Sequence, residues 1–190
     1  NPSICFIPTA TGDDDGYVKN FYKAFDSLGC NTSHIDFFKR TINLEKHIFK
    51  QDIIFVGGGN TKSMLAVWKE WGLDILLKDA YKSGTIMSGV SAGAICWFKN
   101  GITDSWKDYQ AVLPCLGFVN GNCCPHYDEE PERIPYVKEI LEKNIIDKCY
   151  AIEGFCALHM IDDLPKFIVS FGAGNDSHDV SCKDNEIIHN

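Results

Sequence analysis

The 190 residues predict an α/β sandwich built on a mostly parallel sheet. Three observations carry this reading. Short apolar runs alternate with amphipathic segments through the first half of the chain, and the runs at Ile4, Ile53 and Thr85 each empty into a turn containing glycine. No repeat, low-complexity tract or Pro/Ser-rich linker interrupts the pattern, so residues 1–190 read as a single domain.

Ile4 to Pro8 is a continuous apolar run, the signature of a strand covered on both faces. After Asp13-Asp14-Asp15-Gly16, residues Val18, Phe21, Phe25 and Leu28 recur at helical spacing, and Gly29 stands where a helix C-cap belongs. Ser33 to Phe38 reads as a second strand, Leu44 to Lys50 as a short helix, and Ile53 to Val56 as a third strand entering Gly57-Gly58-Gly59-Asn60. Asn60 or Thr61 caps the next helix, whose Leu65 and Trp68 share a stripe and whose end is marked by Gly72. Asp74 is expected to cap another, closed by Gly84. Thr85 to Ser88 then runs into Gly89-Val90-Ser91-Ala92-Gly93 and a helix through Trp97. From Gly101 the alternation loosens around prolines, with one further helix at Ile134 to Asn144. The runs Tyr150–Glu153, Cys156–Ile161, Phe167–Phe171 and Glu186–Ile188 suggest an antiparallel edge on the parallel sheet.

Composition removes several classes of function. Lys plus Arg is 18 against Asp plus Glu 26, for a net charge of -8. No basic stripe offers itself to phosphates, so nucleic acid and anionic membrane are not expected partners. No apolar stretch approaches the ~18 residues of a membrane span, and no charged-then-apolar leader opens the residues from Asn1, although a chain beginning on Asn leaves open what precedes it. Nine cysteines cannot all pair within one chain; several sit in apolar runs, where free thiols pack as small hydrophobes, as in a reducing cytoplasm.

Gly89-Val90-Ser91-Ala92-Gly93 matches a nucleophile elbow, in which a strained strand-to-helix turn raises a serine above the sheet between small neighbours. The Ala92 amide at the helix start would face negative charge developing on a substrate oxygen. Gly57-Gly58-Gly59 can supply further amides, with Gly58 and Gly59 as the candidates. That loop lacks both the Gly-Lys-Ser/Thr ending of a nucleotide P-loop and a dinucleotide fingerprint. Of the six histidines, His126 is the best candidate base, because Pro125 and the acidic loop Asp128-Glu129-Glu130 frame it at a strand end. Glu153, between apolar runs, and Asp104 are the candidate carboxylates to orient it, and each could equally be a turn or cap residue.

Together Gly57-Gly58-Gly59-Asn60-Thr61, Gly89-Val90-Ser91-Ala92-Gly93-Ala94, Pro125-His126-Tyr127 and Glu153-Gly154 give the chain a resemblance to the peptidase E family, serine peptidases typified by α-aspartyl dipeptidase and related to cyanophycinase. The resemblance implies a three-layer, flavodoxin-like fold similar to class I glutamine amidotransferases, with serine in place of their cysteine. It assigns Ser91 as nucleophile and His126 as base, and leaves Glu153 and Asp104 as alternative acids, Glu153 favoured for its strand-end setting. It implies a small peptide substrate, no metal or organic cofactor and a cytoplasmic enzyme, with the oligomeric state open and a homodimer among the options. The segment Ile102-Thr103-Asp104 departs from the family's Thr-Asn-Asp, so substrate contacts there can differ. Selectivity for an N-terminal aspartate needs a cation; of the two arginines, Arg40 and Arg133, Arg133 is the candidate, against the alternative of an ion pair with Glu129 or Glu130.

Three other readings stay open on sequence alone. One is a small esterase or amidase using the same elbow. The second is a non-catalytic ligand-binding protein on this scaffold. The third is a metal site on Cys123, Cys124 and His126 with Cys182 or His178, disfavoured because adjacent cysteines lack the spacer common in zinc sites.

Overall fold

A computed structural model describes residues 1–172, 174–183 and 186–189 and divides the chain into two compact units, residues 1–94 and 95–190.

In the first unit, β1 (Ser3–Ile7), β2 (Asn31–His34), β3 (Ile53–Val56) and β4 (Ile86–Gly89) form an all-parallel sheet of order β2-β1-β3-β4. Central β1 is buried from Ile4 onward, as its unbroken apolar run requires. The helices are α1 (Asp15–Asp26), α2 (Leu44–Ile48), α3 (Thr61–Glu70) and α4 (Leu73–Lys82). Asp14 caps α1 by accepting from the Tyr17 amide at 2.7 Å, and Asn60, not Thr61, caps α3 by accepting from the Ser63 amide at 2.9 Å. α4 differs from expectation: its N-cap is Gly72 in the left-handed region, and Asp74 lies inside the first turn, where a carboxylate favours the helix dipole without capping it. Phe6 stacks on Phe21, with Ile4 and Val18 completing this core.

The short α5 (Ala92–Ile95) begins in the first unit and ends at the first residue of the second, which holds β5 (Phe98–Trp106), β6 (Tyr109–Pro114), β7 (Val119–Cys124), α6 (Arg133–Glu142), β8 (Lys148–Ile152), β9 (Cys156–Ile161), β10 (Leu164–Ser170), β11 (Ser177–Lys183) and β12 (Glu186–His189). Six strands form a mixed sheet of order β12-β11-β8-β7-β5-β6, while β9 and β10 pair as a hairpin. Strands β5, β7 and β8 run parallel, and β6, β11 and β12 are added antiparallel. The α/β class matches the sequence reading, but of the four runs expected to form an antiparallel edge only Glu186–Ile188 does so: β8 runs parallel to β7, and β9 and β10 pair with each other in a separate sheet. Further details differ. The helix expected through Trp97 stops at Ile95, and the stretch beyond Gly101 that read as loops contains β5, β6 and β7. A register shift between Thr103 and Trp106 breaks the period of two that would have revealed β5.

Close backbone approach explains the glycines around the β4 turn. A Cβ on Gly93 would lie 2.1 Å from the Val56 carbonyl oxygen, and one on Gly89 would lie 2.3 Å from the Gly93 oxygen. Neither neighbour is the end of a flexible side chain, so the backbone itself would have to move. We expect Gly93→Ala to destabilise the protein by about 3 kcal/mol or more, read as a fall in the urea unfolding midpoint; an unchanged midpoint would show that the turn is looser than this packing.

Candidate active site

The chain leaves β4 through Val90 and reaches Ser91 at φ +55, a left-handed conformation that costs an L-residue energy and that the neighbouring hydrogen bonds enforce. The Val90 amide donates to the Val56 carbonyl at 3.1 Å, the Gly93 amide to the Val90 carbonyl at 2.9 Å, and the Ala94 amide to the Ser91 carbonyl at 2.9 Å. Gly58 lies against this serine: a Cβ there would be 3.1 Å from Ser91 Cβ and 3.7 Å from its Oγ. Gly59, at φ +134, packs on the Ala10 backbone so closely that no side chain fits. The first unit thus brings together Ser91, Gly58 and the start of α5. The sequence did not single out Tyr17, whose hydroxyl accepts the Gly58 amide at 3.2 Å. That amide, one of the expected oxyanion donors, is engaged in this structure.

In the second unit His126 follows β7, also in the left-handed region at φ +54. Its loop is tied to the end of β8: the Tyr127 amide donates to the Ile152 carbonyl at 3.1 Å, and the Gly154 amide to Asp128 Oδ1 at 2.7 Å. His126 Nδ1 meets Glu129 Oε2 at 2.6 Å. Against an ionised carboxylate Nδ1 carries the proton, which leaves Nε2 as the nitrogen able to take another. Glu129 in turn packs on Gly154, where an added Cβ would fall 2.5 Å from its carboxyl carbon.

The two carboxylates expected beside His126 have other partners. Glu153 Oε1 pairs with His178 Nε2 at 3.0 Å and its Oε2 accepts the Asp176 amide at 2.9 Å. Asp104 Oδ1 lies 3.3 Å from Arg133 Nη2. The partner that sequence reasoning passed over is Glu129, mentioned only as part of an acidic loop; its spacing of three from His126 was the available signal.

Arg133 forms the ion pair with Glu130 weighed as the alternative, although its side chain is buried rather than on the surface, and Asp104 joins the pair. Its side chain is 2% exposed, its Nε donates to Glu130 Oε2 at 2.7 Å, and its Nη1 is buried with no partner.

None of the nine cysteines is in a disulfide, and burial pushes the thiols of Cys96, Cys123 and Cys149 well above their ordinary range and that of Cys124 up to about 12. Such thiols are poor ligands and poor nucleophiles. Among the described residues no group of three His, Cys, Asp or Glu is placed to hold a metal ion, so Cys123, Cys124 and His126 do not come together as a metal site. No helix among them is long and apolar enough to cross a membrane.

A serine held in a strained strand-to-helix turn at the carboxyl end of a parallel sheet is the equipment of a serine hydrolase. Comparison with known proteins narrows the class: the model of peptidase family S51 matches residues 1–168, and the chain belongs to that family of serine-type peptidases. It is 43% identical over 187 residues to the uncharacterised peptidase YgaJ of Bacillus subtilis, covering 98% of this chain and 81% of that one. A peptidase E of Salmonella arizonae is 37% identical over 94 residues, which is 48% of this chain and 40% of that protein. Among solved structures, a Listeria monocytogenes protein named as a candidate peptidase E aligns with a TM-score of 0.69 at 24% identity, covering 90% of this chain and 87% of that one.

Proposed function

We propose that the protein is a serine exopeptidase of the dipeptidase kind, cleaving short peptides through an acyl-enzyme on Ser91. The observation that carries this is the enforced left-handed conformation of Ser91 between β4 and α5. Strain held in place by surrounding hydrogen bonds is characteristic of functional positions, and here it presents a hydroxyl that packing alone does not require. Ser91 Oγ attacks the peptide carbonyl, His126 Nε2 takes its proton and returns it to the leaving amine, and water then releases the acyl group by the same steps. The Ala92 amide, with Gly58 or Gly59, stabilises the oxyanion; Gly58 serves only once its amide leaves the Tyr17 hydroxyl. The role expected of Glu153 or Asp104 falls in this proposal to Glu129, which holds the imidazole through Nδ1. The reducing cytoplasm suits nine free thiols.

An N-terminal aspartate is the proposed specificity. Arg133 is held by two carboxylates, which fix its plane, and its unpartnered Nη1 leaves a donor for one more acceptor. Digesting a mixed dipeptide library with mass-spectrometric readout tests both levels, with Ser91→Ala as control. Asp-X peptides should disappear fastest, and Arg133→Lys should reduce the kcat/KM ratio of Asp-Leu to Ala-Leu by about tenfold or more, the loss expected when a guanidinium oriented by Asp104 and Glu130 becomes a flexible point charge. Equal loss on both substrates would assign Arg133 to structure alone.

A further inference from the structure

Among the described residues three outside the Asn, Asp and Gly group adopt a left-handed backbone: Ser91, His126 and Phe155. The first two have roles in the proposed reaction, and the third has none. An aromatic residue at φ +55 is a genuine outlier, because its Cβ crowds the following carbonyl. Its ring gains nothing from burial either, since Phe155 is 71% exposed. The fold therefore carries a double penalty at one position, strain in the backbone and an aromatic ring in water.

The surroundings hold the conformation in place. Phe155 O accepts the Phe171 amide at 2.8 Å, closing the open end of the β9–β10 hairpin, and a Cβ on Gly172 would lie 3.3 Å from Phe155 Cβ. On its other side Phe155 follows Gly154, whose Cα is pressed against the carboxyl group of Glu129, the carboxylate that holds His126. Phe171 is also exposed, at 75%. The hairpin thus presents two solvent-facing aromatic residues at the end nearest the His126 loop.

We propose that Phe155 is a specificity-determining residue that receives an apolar side chain of the substrate's leaving residue, with Phe171 widening the same surface. This rests on the dipeptidase reading. The leaving side follows from the chemistry: the protonated imidazole must reach the departing amine, so the part of the substrate beside His126 is the residue that leaves. The occupant is then a peptide whose residue after the scissile bond is leucine-like or aromatic, and an exposed ring offers it area without ordering a flexible side chain.

The test compares wild type with Phe155→Asn, which keeps a residue that tolerates the left-handed region, and with Phe155→Tyr, which keeps the ring. Purified proteins are assayed on Asp-Leu and Asp-Gly. The ratio of kcat/KM for Asp-Leu to that for Asp-Gly should fall about tenfold in Phe155→Asn, the usual scale for one lost apolar contact in a pocket, and return to near the wild-type value in Phe155→Tyr. An unchanged ratio, including one in which both substrates lose activity together, overturns the inference. A second arm measures calorimetric binding of the two dipeptides to Ser91→Ala protein with and without Phe155→Asn. If wild type cleaves neither dipeptide, the dipeptidase reading fails by itself, and this arm decides the inference: tighter binding of Asp-Leu that depends on Phe155 upholds it, and no such difference overturns it.

Discussion

Ser91→Ala abolishes peptide turnover, with kcat expected to fall by about 10⁴-fold or more, the scale seen when a catalytic serine is removed and only binding and oxyanion contacts are left. The fold should survive. Ser91 is partly buried, and the bonds from the Val90, Gly93 and Ala94 amides that shape the turn run to backbone carbonyls. A sharper form compares Ala with Gly. At φ +55 alanine keeps the Cβ clash that glycine lacks, so Ser91→Gly should be more stable than Ser91→Ala by about 1 kcal/mol while being equally inactive. Turnover assays and urea unfolding of the two variants check this. If Ala proved the more stable of the two, the serine would not be strained, and the main argument for its role would fall.

The second large effect concerns the carboxylate. Glu129→Gln should lower kcat by about 10²- to 10³-fold; a buried aspartate in the corresponding role is worth about 10⁴-fold, and Glu129, at 43% side-chain exposure, is partly screened by water. The amide still reaches Nδ1 but stabilises neither the required tautomer nor the imidazolium. Glu153→Gln, which disturbs the contacts to His178 and the Asp176 amide, should cost less than about tenfold in kcat and act mainly on stability. Parallel kcat values with unfolding midpoints distinguish the two, and a larger kcat loss at Glu153 than at Glu129 would return the orienting role to Glu153.

The contrast between these two glutamates shows which parts of the site were legible in the sequence. The Ser91 motif was readable because the glycines at 89 and 93, demanded by the close approach of one to the other's backbone and of both to Val56, stand within two residues of the serine in sequence. His126 was readable from the proline before it and the acidic loop after it. The carboxylate beside His126 was not, because Ile152-Glu153-Gly154 announces a charge at a strand end without saying where the side chain turns, and it turns to His178 and the Asp176 amide. Glu129 was hidden among four acidic residues between 128 and 132, which the tertiary structure tells apart: Asp128 accepts the Gly154 amide, Glu130 pairs with Arg133 and Glu129 meets His126.

The fold divides in the same way. Strands β1 and β3 announce themselves by unbroken apolar runs because neighbours cover them on both sides. β5 carries Asn100, Gly101, Asp104 and a register shift, so neither alternation nor a continuous run marks it. Gly101 is required because a Cβ there would lie 2.8 Å from Ile95 Cδ1, a long-range constraint that reads in sequence as a turn. The short α5 has a related cause, since β5 begins at Phe98, three residues after the helix ends.

The central claim is that Ser91 is an activated nucleophile, and covalent labelling tests it most directly. The intact protein is treated with a fluorophosphonate, digested and mapped by mass spectrometry, with Ser91→Ala treated in parallel. The account predicts a single phosphonylated serine, in the peptide containing Ser91, formed with loss of turnover and absent from the variant. Stoichiometric labelling of a different serine, or full turnover after Ser91 is labelled, would contradict it.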